Sequence, residues 1–234
     1  MAKRTRRPSS GRQSEARRKR KQPPSPGTCA GTNAPQYGRY DDCVHVCWLG
    51  DGRYVALLKP LVFHQAHGNR SWTAPAGTVT DGASIPQIFW SVIGGPFEDK
   101  YRDAAVSHDY ECCVQQNAWR DVHRMFYDAM MTRSVEPWRA KLMYFAVFFF
   151  GPRWPKPERR PKLGFTEGDI ARAADLFRRR SPIQLDEIEQ LTPGTLRAHS
   201  REIPLRVEGA PLLDDRKTIR AVDRKPPCTT SECA

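Results

Sequence analysis

The chain has 234 residues, 39% of them apolar and 10% aromatic, which is enough to bury a core and argues against a wholly disordered protein. Its formal charge of +12 is unevenly placed: residues 1–22 hold ten Lys or Arg against Glu15, residues 159–234 hold fifteen against twelve acids, and residues 23–158 balance to zero. A basic groove for nucleic acid on the central part is therefore not implied. The longest apolar run, residues 142–150, falls well short of the roughly 20 residues needed to cross a bilayer, which excludes a membrane span.

Residues 1–36 are mostly Arg, Lys, Ser, Pro and Gly, with little to bury, and read as a disordered basic tail. The run RRKRK at 17–21 makes this tail a candidate for binding nucleic acid or an anionic surface by counterion release; a solvated tail without a specific partner is the competing reading. No apolar stretch follows the charge, so it does not read as a secretory signal. Seven cysteines, at 29, 43, 47, 112, 113, 228 and 233, lack the regular spacing of a secreted disulfide scaffold. They point to reduced thiols in the cytoplasm.

From Asp42 the texture changes. Val44, Val46 and Trp48 alternate with His45 and Cys47, Gly50-Asp51-Gly52 interrupts, and residues 54–63 follow, which predicts a hairpin. Residues 71–79 read as a further strand broken by Pro75 and Gly77, with His64 and His67 on an exposed loop before it. The segment Thr80-Asp81-Gly82-Ala83-Ser84-Ile85-Pro86 ends in a helix start, with Ser84 as cap and an apolar stripe from Ile88 to Ile93, stopped by Gly94-Gly95-Pro96. Asp81 thus lies in a bend, where it either bonds the turn amides or delivers a carboxylate to the core.

Residues 99–131 carry the most informative pattern: two helices joined by a short polar turn at 115–117. Tyr101, Ala105, His108 and Cys112 share one face of the first, with Asp109 about 100° round from His108. Trp119, Val122, His123, Phe126 and Met130 share one face of the second. Antiparallel packing through these faces would bring His108, Cys112 and His123 together, and imidazole, thiolate and carboxylate are the ligand types of a zinc-like site. Residues 136–150 follow as a helix that is apolar nearly all round and therefore buried. Beyond Trp154 the chain is rich in Pro and Arg. Residues 166–180, capped by Thr166, and 185–191 are candidate short helices, and 196–234 read as disordered.

The expected fold class is α+β: a small N-terminal antiparallel hairpin or sheet packed on three to four helices, between disordered tails. The expected divisions are a basic tail at 1–36, a domain at 37–158 and an Arg/Pro-rich extension at 159–234.

The motifs PAGTVTDGASIPQIFW (75–90), AAVSHDY (104–110), VHRMFYDAM (122–130) and KLMYFAVFFFG (141–151) resemble, in order and spacing, the uncharacterised domain family 1353 of tailed phages, prophages and bacteria. The resemblance covers roughly 42–154. It implies a shared site at Asp81, His108 and Asp109 without fixing an activity. Family members usually have Asp where this chain has His123, and Cys112 is not a general feature among them.

Three functions are compatible with these residues. In the first, Asp81, His108, Asp109 and His123, with Cys112 as a further metal ligand, hold a divalent zinc-like ion and activate water as a hydrolase, with a cell-envelope amide or ester as substrate by analogy. Asp121, or Asp109 where it is not a ligand, would orient a histidine. In the second, Cys112 or Cys113 is a nucleophile, although a helix C-terminus raises a thiol pKa. In the third, the histidines are satisfied core residues of a structural or binding module of a phage or mobile element.

Overall fold

The computed structural model describes residues 35–155 and 163–221, apart from positions 51, 53, 83–84, 94–98, 181, 200–213 and 215. The basic run at 17–21, the Ser84 cap and the Gly94-Gly95-Pro96 stop lie outside the described residues. Within them the architecture is α+β, with two three-stranded antiparallel sheets and seven α-helices.

The strands are β1 (Gly38–Tyr40), β2 (Val46–Trp48), β3 (Val55–Leu57), β4 (Leu61–Gln65), β5 (Arg70–Ala74) and β6 (Val79–Thr80). The hairpin expected across residues 50–52 forms, with Val46 facing Leu57 and Trp48 facing Val55. The run 54–63 is not one strand, however. Pro60, which has no N–H to donate, stands between β3 and β4, and the two go to different sheets, ordered β2-β3-β6 and β1-β4-β5. His64 lies within β4 rather than on a loop, and β4 turns into β5 through residues 66–69, where Gly68 and Asn69 take positive φ.

A 3-10 turn at Gln87–Phe89 leads into α1 (Trp90–Ile93), followed by α2 (Arg102–Val114), α3 (Trp119–Thr132), α4 (Pro137–Phe150), α5 (Glu167–Arg179), α6 (Leu185–Glu189) and α7 (Pro193–His199). The expected helical hairpin is α2 and α3; Gln115 closes α2 at φ 57, the left-handed conformation that stops a helix sharply. Pro137 opens α4, where its missing N–H is harmless, and Leu142 to Val147 are all 0% exposed. With almost no polar face, α4 needs cover from several directions. It packs against α1, α3, α5 and α6. The ring of Phe145 lies 6.3 Å from Phe89, 5.2 Å from Phe165 and 6.3 Å from Phe177.

The last three helices, where one or two were expected, join this same core: Phe165, Ile170, Phe177, Ile188 and Leu196 are at most 1% exposed. Leu196, buried on α7, corrects the reading of residues 196–234 as structureless from their first position. The expected Thr166 cap forms, its backbone N–H donating to Asp169 at 2.9 Å. Asp169 is fully buried and meets Arg172 at 2.8 Å and Arg197 of α7 at 3.0 Å, so the ion pairs tie α7 to α5.

Phe177→Ala should therefore lower the stability of the whole chain by about 3–5 kcal/mol in urea unfolding, as for other large core truncations. Leu58→Ala, at a side chain 49% exposed, should change it by less than about 0.5 kcal/mol. A Phe177→Ala protein with an unshifted main transition would show that α5 does not share the core.

Candidate metal centre

β6 ends at Thr80, and Asp81 and Gly82 carry the chain off the sheet, Gly82 at φ 106. α2 packs against β6, which sets Asp109 beneath this bend. The Thr80 hydroxyl donates to Asp109 Oδ2 at 2.5 Å and accepts the Gly82 N–H at 3.0 Å. One position earlier on α2, His108 faces α3. Residues four apart share a helix face, so Cys112 sits one turn further along, its Sγ 3.6 Å from His108 Nε2 and 3.7 Å from Nδ1. From α3, His123 presents Nδ1 to His108 Nε2 at 2.9 Å, and one of these two nitrogens carries the proton the other accepts.

The cluster is enclosed. His108, Asp109 and His123 are 0% exposed and Cys112 is 1% exposed. Phe126 lies 4.6 Å from the His108 ring, and Trp119 and Trp154 lie 5.4 and 6.5 Å from the His123 ring. Trp154 is fixed by its indole N–H, which donates to the Asn117 carbonyl at 2.7 Å, and the Arg120 and Arg153 guanidinium groups each stand 4.5 Å over Trp119. Burial pushes the Cys112 thiol well above its ordinary range, and the neighbouring Asp109 and Glu111 charges push it further.

Of the sequence-expected residues, the fold brings His108, Cys112 and His123 together, with donor atoms all within 4.8 Å of one another. Asp109 and Asp81 lie outside that group of three. Asp109 Oδ1 is 3.9 Å from His108 Nδ1, beyond hydrogen-bond length, and Asp81 is half-buried on the bend beside Thr80. Asp121 does not orient a histidine: its side chain is 51% exposed and meets Arg70 at 3.2 Å. Cys113 is disulfide-bonded, as are Cys43 and Cys47, against the expectation of reduced thiols; Cys112 is the free cysteine among the described residues. Aromatic side chains close over the histidines, so the cluster is covered and not open to solvent. Sequence reasoning missed Thr80, and no alternation marked it: both residues of β6 are buried, Val79 at 3% and Thr80 at 1% exposure.

Two imidazoles and a thiol are the donor set that selects zinc or copper over magnesium or calcium. With bonds of about 2.0 Å to nitrogen and 2.3 Å to sulfur, a tetrahedral ion sets its ligands about 3.4 Å apart for two nitrogens and about 3.6 Å for nitrogen and sulfur. The Cys112–His108 spacing of 3.6 Å meets that value, and the His108–His123 spacing of 2.9 Å would have to open by about half an ångström. With all three donors within 4.8 Å of one another, these residues could supply three of the four positions of such an ion, Cys112 as thiolate.

The relatives of this chain carry no assigned activity. It is 53% identical over 83 residues, 36% of its length and 25% of the relative's, to the uncharacterised protein y4jT of Sinorhizobium fredii (strain NBRC 101917 / NGR234). It is 46% identical over 105 residues, 45% of its length and 44% of the relative's, to the uncharacterised protein y4iH of the same organism. The chain thus spans less than half the length of these curated relatives. No solved structure is significantly similar to it. The model of a protein family of unknown function, DUF1353, matches residues 55–147, from β3 into α4, a stretch that includes His108, Cys112 and His123.

Proposed function

We propose that this domain is a structural or binding module in which His108, Cys112 and His123 form a closed clamp for a zinc-like ion and join α2 to α3. The carrying observation is enclosure, since all three donors are at most 1% exposed beneath aromatic side chains. Structural metal sites are closed, whereas a hydrolytic site keeps a position that water and substrate reach. With the ion bound, the imidazoles and the thiolate would satisfy one another through the metal in surroundings that penalise unpaired polar groups. The family resemblance suggests a phage or other mobile element as the setting for such a module.

The second reading is a hydrolase in which Asp81, His108, Asp109 and His123 activate water against a cell-envelope amide or ester. One observation favours it: the 2.5 Å bond from Thr80 to Asp109 anchors the Asp81 bend against the helix that carries His108. It requires Trp119, Trp154 and Phe126 to move aside, and for that reason it ranks second.

Zinc added to metal-depleted full-length protein should bind at one ion per chain and raise the thermal midpoint, since free ion at 100 times its Kd stabilises by about 2.7 kcal/mol. Cobalt substitution should give a sulfur-to-metal charge-transfer band that Cys112→Ser abolishes while far-UV circular dichroism stays unchanged. Protein that takes up no metal and shows no zinc-dependent midpoint shift would refute the clamp.

The Cys112 thiol should also resist iodoacetamide at pH 8 in the metal-depleted native protein, being buried and held protonated, and react once urea unfolds the chain. Peptide mapping separates it from the other cysteines. Rapid native labelling at Cys112 would instead place it on an open, reactive site.

A further inference from the structure

A recess lies away from the His108, Cys112 and His123 cluster. A cleft of about 410 Å³ opens between the β4–β5 turn, α3, α4 and the start of α6, inside the roughly 300–1,000 Å³ of small-molecule sites. One wall is a fixed hydrogen-bond chain. The Trp72 indole donates to Gln65 Oε1 at 3.0 Å, which leaves the Gln65 amide N–H to donate to Asp128 Oδ2 at 2.7 Å. His67 Nδ1 stands 3.6 Å from the same oxygen; its side chain is 72% exposed while that of Asp128 is only 10% exposed. The other wall carries Lys141, buried to 5% exposure, and Arg124, which donates to Glu189 at 2.9 and 2.6 Å and pairs with Asp186. Between the walls the Tyr127 ring meets Tyr37 edge-on at 6.2 Å and supplies an apolar surface.

We propose that this cleft binds a small neutral polyhydroxylated ligand of the saccharide class. An ion of either sign entering it meets a like charge, Lys141 and Arg124 for a cation, Asp128 and Asp186 for an anion. A hydroxyl group both donates and accepts, so a sugar can add donors to the Asp128 carboxylate on one wall and acceptors to the cationic side chains on the other, beside the bonds they already make. Its C–H face packs on the Tyr127 ring. The Asp128 carboxylate, which burial makes harder to ionise, gains most from a ligand that donates to it.

The inference extends the binding-module reading, and its test leaves His108, Cys112 and His123 untouched, so sugar affinity and metal content fail independently. Full-length protein is titrated with glucose, N-acetylglucosamine and maltose by amide chemical-shift mapping, with putrescine as a cationic control. At least one sugar should saturate, with shifts centred on Gln65, Tyr127 and Asp128. Asp128→Asn should weaken it by at least about tenfold. His67→Ala should weaken it severalfold with an unchanged thermal midpoint, which guards against a folding artefact. The proposal is overturned if no sugar shifts these amides, if both variants bind undiminished, or if putrescine binds and the sugars do not.

Discussion

The burial of α4 is the constraint on which the rest of the structure depends. A helix whose central residues are nearly all apolar must be covered from several directions, and one neighbour covers only one stripe of it. α1, α3 and α5 each lay a face on it, α6 adds a further contact, and the rings of Phe89, Phe165 and Phe177 converge on Phe145. The family stretch at 55–147 ends inside α4, yet the cover continues into α5–α7, so a complete core needs chain beyond that stretch.

Polar groups inside such a core are tolerated only in pairs, and the pairs fix how the layers meet. Thr80 joins the second sheet to α2 through Asp109, and His108 joins α2 to α3 through His123. Arg133, just past α3, meets Asp103 at the start of α2 at 2.5 Å and stands 4.4 Å over the Tyr40 ring of β1. Burial raises the Asp103 carboxyl and the Arg133 charge opposes that rise, so removing Arg133 would leave a poorly solvated acid. Each contact joins two layers, and a slip of one helix turn would break several of them together.

Enclosure separates two kinds of polar chemistry in this molecule. Around His108 the side chains are covered by Phe126, Trp119 and Trp154. Around Asp128 the carboxylate is equally well supported, but it faces a cleft. The Trp72–Gln65–Asp128 chain of part-buried hydrogen bonds orients a largely buried carboxylate on the wall of that cleft.

Local pattern made much of the fold legible. The three-and-four spacing in α2 and α3 and the Gly-rich turn at 50–52 each marked an element, and Thr166 marked a helix start. The meeting of His108, Cys112 and His123 was also readable, because a short connection makes two amphipathic helices pack face to face. Other features were not. β1 and β6 are two or three residues long and exist through partners distant in sequence, and the split of residues 54–63 between two sheets depends on which edges were free. α7, on residues read as a loop and a structureless tail, is too short to persist alone and forms because α5 gives Leu196 somewhere to be buried. The sequence by itself determined the helical hairpin of α2 and α3, the all-round apolar α4, and that two imidazoles and a thiol would converge. Only the tertiary structure decided that Trp119, Trp154 and Phe126 close over them and that a cleft opens beside Asp128, because exposure to water is set by neighbours far apart along the chain.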